Sequence, residues 1–417
     1  MTSFLPIPAN SDFTLSNIPF GIFRTSSLSP RICIAIGSHL LDIRTFHENS
    51  GFRSLHQLQV DSTVFSAPTL NPFAALPQLS HNLIRAYLIS VLTTGGPFPD
   101  ILENNAELQM KCLHKLEDVT MCLPMEIGDY TDFYAGRVHA YNVGCLFRGP
   151  ENALQKNYEQ LPVGYHGRAS SIVISGTNVR RPRGQTGEGV FGECQRLDIE
   201  LEMAALIGRG SSLGDPVSTE KAREMVFGYV LMNDWSARDV QAWEYIPLGP
   251  FTAKNFATTI SPWVVLPIAL EEGGYMVQGL ERWSKTPVQP YLQEGGANMI
   301  GVDLEVRING ETMTKTNGKN LLWSFNQMIA HHTVTGCNMR TGDLLGSGTI
   351  SGEGEGERGC LLEATSGGKN PVKIGGEERT WLKDGDEVVI MGHCGEGEKR
   401  VGWGECRGKI LPAKPLQ

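Results

Sequence analysis

Three acidic residues alternate with apolar residues in one short run of the sequence, LDIELEM at 197–203. Side chains of a β-strand point alternately to its two faces, so Asp198, Glu200 and Glu202 are predicted to share one face. On an exposed antiparallel sheet, that face would meet only solvent. The run continues as AALI at 204–207 without polar alternation, which is typical of a strand buried on both faces. Buried carboxylates this close together need a compensating cation to remain ionised.

Two further acids are candidates for the same site. Asp132 lies in GDYTDFY at 128–134, and Asp234 ends an apolar strand. A set of Asp and Glu oxygens suits a hard cation, Mg²⁺ or Ca²⁺, much better than zinc. The spacing does not group these acids by itself, because only the fold can bring together residues that lie so far apart.

His139 is the candidate general base. It follows Asp132 by seven residues, which is two turns if the segment is helical, and this spacing would put both side chains on one helical face. A histidine beside a metal can take a proton during catalysis; the alternative is a structural histidine at the surface or in the core. His166, between two glycines, is interpreted as structural, and His331 and His332 as partners of a helix C-terminus.

Cationic and amide side chains follow Asp234 closely along the chain. They are Arg238, Gln241, Tyr245 and Lys254. Near a metal–carboxylate site such groups hold an anionic substrate and a developing oxyanion, although surface ion pairs would also explain them. The sequence contains no Walker loop, no Gly-x-Gly-x-x-Gly after a strand, no Gly-x-Ser-x-Gly elbow and no His-Glu-x-x-His pair. It therefore indicates no covalent nucleophile.

The elements that would position these residues change in character near residue 119. Before it, RICIAIG at 31–37 and HLLDIRT at 39–45 predict a hairpin across a Gly-Ser turn. A helix capped at Ser80 and a second helix over about 105–116 follow.

Glycine-rich strands dominate the rest of the chain. Strands are predicted over 170–175, 197–208, 228–234, 302–310 and 387–392, with helices over 219–227 and 321–333. The acidic tract GEGEGERG at 352–359 is interpreted as a flexible loop. The whole pattern predicts a mostly β, α+β protein.

The length and composition of the chain predict two domains and disfavour some classes of binding partner. A chain of 417 residues exceeds one ordinary domain, and the change of character divides it into predicted domains 1–118 and 119–417. The 48 glycines indicate many tight turns. A net charge of −9 without a basic run disfavours a nucleic-acid partner.

The sequence carries no signal for export or for membrane insertion. The N-terminal segment has neither a basic region nor an apolar core. The most apolar window, PWVVLPIAL at 262–270, is half the length of a bilayer span. The nine cysteines contain no Cys-x-x-Cys pair and favour neither a zinc framework nor disulfides. A cytoplasmic protein with reduced cysteines and no membrane partner is predicted.

Long segments of the sequence resemble the fumarylacetoacetase family. They are IGDYTDFYAGRVHAYNVGCLFRG at 127–149, LPVGYHGRASS at 161–171, LDIELEMA at 197–204, LMNDWSARDVQAWEYIPLGPF at 231–251 and DLLGSGTISG at 343–352, with PRICIAIGSHLLDI at 30–43 similar to the family's first domain. The resemblance implies a small N-terminal SH3-like β-barrel domain with helices, a larger catalytic mixed β-roll domain and a homodimer. It also implies metal-dependent hydrolysis of a dianionic β-diketone, 4-fumarylacetoacetate, to fumarate and acetoacetate, the last step of tyrosine and phenylalanine catabolism.

Carried over residue by residue, the resemblance implies a metal site and a catalytic base. The metal ligands would be Asp132, Glu200, Glu202 and Asp234, with Lys254 and Thr258 at a second, Mg²⁺-associated position. His139 matches the general base, and Glu363 matches the carboxylate that orients it. The bound ion would be Mg²⁺, Ca²⁺ or both.

The resemblance also implies the residues that hold the substrate. Arg238 and Lys254 match groups near the oxyanion. The substrate contacts would be Tyr134, Arg148, Tyr165, Gln241, Tyr245 and Thr349.

Other functions are found in the wider superfamily. Its acylpyruvate hydrolases and decarboxylases share mainly the acidic metal motif, and they usually lack the first domain and the DYTDFY segment, so the narrower family is favoured. A catalytically silent structural dimer is disfavoured, because His139 and the cationic side chains are all present. The Gly-Glu tract at 352–359 departs from the family's usual loop.

Overall fold

β-Strands form most of the regular structure in the computed structural model, which describes residues 2–55 and 61–416. The strands are β1 Phe20–Arg24, β2 Arg31–Ile36, β3 His39–Asp42, β4 Leu113–Lys115, β5 Thr120–Cys122, β6 Tyr130–Phe133, β7 Gly164–Gly167, β8 Ile172–Ile174, β9 Val179–Arg180, β10 Arg183–Gly187, β11 Val190–Glu193, β12 Leu197–Asp198, β13 Leu201–Ile207, β14 Val226–Asp234, β15 Ser236–Ala237, β16 Thr258–Ile260, β17 Met276–Val277, β18 Met299–Ile300, β19 Asp303–Ile308, β20 Glu311–Asn317, β21 Leu344–Gly346, β22 Val372–Ile374, β23 Glu377–Arg379, β24 Glu387–Cys394 and β25 Val401–Leu411. The helices are α1 Ile43–Glu48, α2 Asn71–Ala74, α3 Gln78–Leu92, α4 Ala106–Cys112, α5 Arg137–Arg148, α6 Thr219–Met225, α7 Arg238–Glu244, α8 Pro267–Gly273, α9 Phe325–Thr333 and α10 Leu361–Ala364. The predicted α+β class, mostly β, is confirmed.

The first sheet has the strand order β4-β3-β2-β1-β5 and is antiparallel throughout. The predicted hairpin of β2 and β3 is confirmed, and its turn requires Gly37. This residue has φ +57°, and a Cβ there would lie 2.3 Å from the backbone oxygen of Pro6. Strand β5 lies beyond residue 118, and the domain limits 1–118 and 119–417 stay a prediction.

Two helices of the first part differ from the sequence prediction. Helix α3 begins at Gln78, so Ser80 is not its cap. Pro77 precedes the helix instead, since its ring fixes φ at −57° and the missing N–H is one that a helix start leaves unpaired. Helix α4 ends at Cys112 rather than near residue 116, because residues 113–115 pair with β3 as an edge strand.

A seven-stranded sheet, in the order β7-β6-β21-β13-β14-β16-β8, forms the middle of the molecule. Its two central strands, β13 and β14, are buried along their whole length. Ala204 and Leu206 pack into a core shared with the first sheet, whereas Met203 and Ala205 pack into the larger core on the other side. Burial on both faces excludes the interpretation of this segment as a solvent-facing strand.

The single strand predicted over 197–208 is interrupted at Ile199-Glu200. Strand β12 pairs with β15, and β13 begins only at Leu201, where it pairs with β14. The backbone N–H of Glu200 donates to Asn233 Oδ1 at 3.1 Å instead of to a main-chain carbonyl. The Asn233 side chain on the neighbouring strand thus replaces a main-chain hydrogen bond of the sheet. The strand can therefore be interrupted between Asp198 and Glu202.

A second large sheet, in the order β20-β19-β24-β25-β9, encloses the larger core. The strands predicted over 302–310 and 387–392 are confirmed as β19 and β24. Trp235, Trp323 and Trp403 are fully buried in this core. The elements that carry the acidic residues are therefore held between two apolar cores, which makes their geometry rigid.

Two further features concern the cysteines and the helices. All nine cysteines are free thiols. Over the residues that the structure describes, no helix combines the length and the apolar character that crossing a bilayer requires.

Candidate active site

Four carboxylates meet at one end of the central sheet. Asp132, Glu200, Glu202 and Asp234 each bring an oxygen within 4.8 Å of the others, and all four residues are buried. We call them the carboxylate cluster. The sheet order explains the meeting, because β21 lies between β6 and β13, and β14 lies next to β13. Residues that are about a hundred positions apart in sequence thus become neighbours.

The space between these carboxylates depends on a glycine. Gly346, on β21, pairs with Asp132 on one side and with Ala204 on the other. A Cβ at this position would lie 2.7 Å from Asp132 Oδ1 and 3.2 Å from Glu202 Oε2. The missing side chain leaves the carboxylate oxygens free to face a common centre.

The carboxylate cluster fits a hard cation. Within the described part of the chain, Asp132 Oδ1 and Glu202 Oε1 are buried without any hydrogen-bond partner. Burial, reinforced by neighbouring carboxylates, raises the pKa of both Asp132 and Glu202 well above its usual range. Oxygen atoms that are buried, converging and unpaired are suitable ligands for Mg²⁺ or Ca²⁺.

Two cationic side chains bind one flank of the cluster. Lys254 Nζ lies 2.5 Å from Glu200 Oε2 and 2.6 Å from Asp234 Oδ2, and Arg238 Nη2 lies 2.8 Å from Glu200 Oε1. Burial would raise the pKa of Glu200, but these two cations outweigh it and hold the pKa at about 2. Burial would also lower the pKa of Lys254, yet Asp234 and Glu200 raise it above its usual value. Arg238 also pairs with the buried Asp198, so these two cations face five carboxylates. The remaining excess of negative charge favours a bound divalent cation.

Thr258 lies on the same flank of the cluster. Its Oγ1 donates to Asp234 Oδ1 at 3.4 Å, and the two residues pair directly between β14 and β16. Lys254 and Thr258 therefore both contact Asp234. A second ion at this position stays a prediction.

Asp198 does not join the cluster, contrary to the expectation that it shares a face with Glu200 and Glu202. The interruption after β12 turns it away. It accepts hydrogen bonds from Arg238 Nε at 2.8 Å and from the backbone N–H groups of Leu361 and Leu362 at 2.7 and 2.9 Å. Asp198 therefore ties Arg238 to the start of α10.

His139 and Glu363 form a buried pair beside the cluster, which we call the histidine–glutamate pair. His139 Nδ1 lies 2.5 Å from Glu363 Oε2. Asn142 Nδ2 donates to Glu363 Oε1 at 2.8 Å, and Ser351 Oγ donates to Oε2 at 2.8 Å. Burial raises the pKa of Glu363, but His139 and these hydrogen bonds outweigh it and hold the pKa at about 2. An ionised Glu363 accepts a hydrogen bond from Nδ1–H of His139 and so orients the imidazole; in the tautomer with this hydrogen bond, Nε2 carries the lone pair.

Asn142 and Ser351 were not singled out by the sequence analysis as site residues. Asn142 lies three residues after His139 on α5, so the helical spacing would have revealed it once the helix was known. Ser351 lies in the GTISG turn, where its hydroxyl was visible but had no assigned partner.

Asp132 and His139 do not lie on one helix, so the reasoning from their seven-residue spacing is wrong. Asp132 lies on β6, and His139 lies in the first turn of α5. Gly136 separates them, and a Cβ there would come within 2.1 Å of the backbone oxygen of Thr349. A strand, a close glycine contact and a helix start bring the two side chains to one site.

The carboxylate cluster and the histidine–glutamate pair open onto one cavity of about 620 Å³. This volume lies within the range of roughly 300–1,000 Å³ that is typical of small-molecule sites. Most of the expected site residues line it: Asp132, Tyr134, His139, Arg148, Tyr165, Glu200, Arg238, Gln241, Tyr245, Lys254 and Thr349. Glu202, Asp234, Thr258 and Glu363 lie behind this wall and contact it from within the core.

Two tyrosines of the cavity wall contact the carboxylate cluster and His139. Tyr165 pairs with Asp132 between β7 and β6, and its hydroxyl donates to Asp234 Oδ2 at 3.1 Å. The ring of Tyr134 meets that of His139 edge to face, with centroids 5.4 Å apart. Tyr245 is 43% exposed at the opening of the cavity.

The remaining polar groups of the wall differ in how far they are engaged. Arg238 Nη1 donates to Gln241 Oε1 at 3.1 Å. Arg148, the last residue of α5, donates from Nε to the backbone carbonyl of Asn152 and from Nη2 to that of Ala153. Thr349 Oγ1 is buried and has no partner among the residues described, so its hydroxyl is available to a ligand.

Two family profiles together match nearly the whole chain. The family described as fumarylacetoacetate (FAA) hydrolase, C-terminal, matches residues 130–410, and fumarylacetoacetase, N-terminal, matches residues 16–124. The chain belongs to the fumarylacetoacetase family. A fumarylacetoacetase of Aspergillus fumigatus is 54% identical over 433 residues, covering 100% of both chains. The fumarylacetoacetase of Homo sapiens is 44% identical over 431 residues, covering 99% of each.

A solved structure shares the fold at much lower identity. The chain is similar to a fumarylacetoacetate hydrolase of Exiguobacterium antarcticum with a TM-score of 0.51 and 17% identity, covering 95% of this chain and 100% of that one. The likeness supports the arrangement of the sheets as a fold of the fumarylacetoacetase family.

The acidic tract at 352–359 does not line the cavity. Arg358 Nη1 donates to the carbonyl of Gly352 at 2.9 Å, which closes the tract on itself. The N–H of Gly359 donates to Ser351 Oγ at 2.9 Å. The last residue of the tract therefore contacts Ser351, whose hydroxyl also donates to Glu363.

Proposed function

We propose that this chain hydrolyses the carbon–carbon bond of 4-fumarylacetoacetate and releases fumarate and acetoacetate. The observation that carries the proposal is the joint opening of the carboxylate cluster and the histidine–glutamate pair onto one cavity. It is supported by relatives named fumarylacetoacetase that match the chain over its full length. The reaction would be the last step of tyrosine and phenylalanine breakdown.

The carboxylate cluster would hold the metal, Mg²⁺ or Ca²⁺. When bound, this cation would supply Lewis-acid stabilisation of the negative charge that develops on the diketone oxygens. Lys254 limits where the cation can lie, because its ammonium already contacts Glu200 and Asp234. Asp132 Oδ1 and Glu202 Oε1, which are buried and have no partner among the described residues, would be available to the cation.

His139 would act as the general base. With Nδ1–H donated to Glu363, Nε2 takes a proton from the water that attacks the carbonyl of the fumaryl group. The ionised Glu363 then stabilises the imidazolium that forms, as the carboxylate does in a catalytic triad. Cleavage leaves the electron pair on the acetoacetate carbon, and a proton transferred to that carbon completes the turnover.

Arg238, Gln241 and Lys254 would stabilise the oxyanion. An ammonium has three N–H donors, and Lys254 uses two of them for Glu200 and Asp234, which leaves one for the substrate. Each such donor is typically worth roughly 3–4 kcal/mol in the transition state. Tyr134, Arg148, Tyr165, Tyr245 and Thr349 would hold the two carboxylate ends of the substrate.

The assembly and location of the protein are also proposals. The family resemblance supports a cytoplasmic homodimer with an N-terminal domain over 1–118 and a catalytic domain over 119–417. Nine free cysteines are compatible with a reducing compartment.

The direct experiment supplies fumarylacetoacetate to the purified chain in the presence of Mg²⁺ or Ca²⁺. We expect the ultraviolet absorbance of the substrate to fall, with equal amounts of fumarate and acetoacetate formed. Fumarylpyruvate and oxaloacetate serve as competing substrates. Faster turnover of either one, or an unchanged fumarylacetoacetate spectrum, would overturn the proposal.

A further inference from the structure

Among the side chains that line the cavity, cationic groups outnumber carboxylates, although the protein as a whole is acidic. Among the described residues that line it, five carry a positive charge and two carry a negative charge. The two acids, Asp132 and Glu200, belong to the carboxylate cluster, and Lys254 and Arg238 are paired there. The remaining carboxylates of the site, Glu202, Asp234 and Glu363, lie behind the wall and face the carboxylate cluster and His139. The excess of cationic groups therefore concerns the side chains that line the opening.

Two of the cationic residues, Arg196 and Lys369, have no role in the proposed machinery. Both are exposed, and both line the cavity. In the part of the chain that the structure describes, neither side chain makes an ion pair or a hydrogen bond with another residue. The nearby carboxylate of Asp239 is occupied by the backbone N–H groups of Gln195 and Val240. We call Arg196 and Lys369 the cavity rim.

The rim residues come from two segments that are tied together. Arg196 immediately precedes β12, and Lys369 follows α10. Asp198 joins the two segments by accepting hydrogen bonds from Leu361 and Leu362. Trp381 also lines the cavity, and a Cβ on Gly368 would lie 3.0 Å from its Nε1. The two segments that carry these cationic residues are therefore joined through Asp198.

We infer that Arg196 and Lys369 capture the dianionic substrate at the opening of the cavity and set its preference for dicarboxylates. This inference rests on the proposed function. Uncompensated charges in a concave surface concentrate the field and raise the local concentration of an oppositely charged ligand by about 10- to 1,000-fold. The effect falls with salt, because the screening length is about 10 Å at 0.1 M ionic strength.

The rim acts on capture and not on bond cleavage. Neither residue contacts the carboxylate cluster or the histidine–glutamate pair, whose ion pairs and hydrogen bonds are made by other side chains. Removing the two charges would therefore raise KM and leave kcat unchanged. It would also weaken the binding of the product fumarate, which carries the same kind of charge.

The test compares the double variant R196Q/K369Q with the matched control R209Q/K409Q in the metal-loaded enzyme. Arg209 and Lys409 are exposed and do not line the cavity, so the control makes the same change in net charge elsewhere. We expect kcat/KM for fumarylacetoacetate to fall about tenfold in the rim variant, with kcat within about twofold of wild type. The slope of kcat/KM against ionic strength should flatten, and calorimetric titration with fumarate should give weaker binding.

The outcomes separate the inference from the proposed function. If wild type does not cleave fumarylacetoacetate, the proposed function fails, and the fumarate titration alone tests the rim. If wild type is active and the rim variant keeps its kcat/KM, salt slope and fumarate affinity, the inference is overturned. An equal loss in the control, or a loss confined to kcat, would overturn it as well. Equal thermal unfolding midpoints of the two variants establish that both are folded.

Discussion

The carboxylate cluster and the histidine–glutamate pair are both buried, but they differ in what they lack. In the pair, Glu363 receives hydrogen bonds on both oxygens, and its pKa is held at about 2 despite burial. In the cluster, Asp132 and Glu202 each keep a buried oxygen without a partner among the described residues, and burial raises the pKa of both. The pair is satisfied by the chain itself. In the cluster, Glu200 and Asp234 are paired with Lys254 and Arg238, and the unpaired oxygens of Asp132 and Glu202 are left for a ligand.

The difference shows how a buried site can be rigid and yet open to a ligand. Unpaired buried carboxylates are unfavourable, and native proteins keep them only where another group compensates. The pair is kept in one tautomer by fixed neighbours and needs no ligand to be ready. Removing a cation should therefore affect the cluster strongly, and removing a hydrogen-bond donor should affect the pair weakly.

The largest effect is expected from metal removal. Chelation followed by dialysis should reduce fumarylacetoacetate hydrolysis to background and lower the thermal unfolding midpoint, because the charges of the cluster then repel one another. Added Mg²⁺ or Ca²⁺ should restore both. Undiminished activity in protein shown by metal analysis to be free of divalent ions would contradict the assignment.

A glycine variant isolates the cluster from other effects of chelation. Gly346→Ala should weaken cation binding, because its Cβ would lie 2.7 Å from Asp132 Oδ1. Gly356→Ala is the matched control, since no atom lies within 4 Å of a Cβ there. Equal cation affinities in the two variants, measured by calorimetry, would remove the cluster as the site.

The second largest effect is expected at the pair. His139→Ala should lower kcat by about 10²–10⁴, the usual contribution of a general base, while cation and fumarate affinities remain. His39→Ala serves as a control, because His39 lies on β3 in the first sheet. A kcat within a few-fold of wild type would show that His139 is not the base.

Much of this arrangement could be predicted from local sequence patterns. Apolar runs and turn residues gave the hairpin at Gly37 and the strands β14, β19 and β24. The four carboxylates and His139 could be assigned from the family resemblance, because they lie in long segments that match the family's motifs. Pro77 is also a helix-start signal in the sequence, and it predicts the start of α3 better than Ser80 does.

The rest depends on contacts between distant parts of the chain. The interruption at Ile199-Glu200 is stabilised by Asn233, a side chain on another strand, so no local pattern could place it. The meeting of Asp132 with Glu202 requires β21 to be inserted between their strands with a glycine at the right register. The helical spacing of Asp132 and His139 failed because Gly136 lets the chain pass against Thr349.

The third prediction concerns how the stability of the fold depends on pH. The carboxylate cluster and the histidine–glutamate pair are expected to respond to acid in opposite directions. Glu363 has a folded pKa of about 2 and a usual value of 4.5, so an unfolded chain takes up its proton first as pH falls. Its stabilisation is fully present above about pH 4.5 and is lost as pH falls towards 2. The difference amounts to about 3 kcal/mol. Asp132 and Glu202, whose pKa is raised, disfavour the metal-free fold at neutral pH and favour it in acid.

Comparison with Glu363→Gln separates these contributions. The free energy of unfolding of the metal-free wild type and of the variant is measured with denaturant between pH 2.5 and 6. The carboxylate cluster contributes equally to both values, so it cancels in their difference. Their difference should shrink by up to about 3 kcal/mol towards the acid end. A difference that is independent of pH would show that Glu363 is not held ionised by the pair.

The smallest effect is expected from Ser351→Ala, and it tests whether the pair is as well satisfied as its contacts imply. Ser351 Oγ donates to Glu363 Oε2 at 2.8 Å and accepts the N–H of Gly359 at 2.9 Å. Three donors to Glu363 remain after the substitution, from His139, Asn142 and the thiol of Cys360. We therefore expect kcat to fall about fivefold, equivalent to about 1 kcal/mol, with KM and cation affinity unchanged. The double variant Asn142→Ala/Ser351→Ala should lose more than the two single losses combined, because only His139 and the weak thiol donor of Cys360 would then remain among the described donors to this buried carboxylate. Strictly additive losses would mean that the two side chains act independently and that the pair does not behave as one hydrogen-bonded unit.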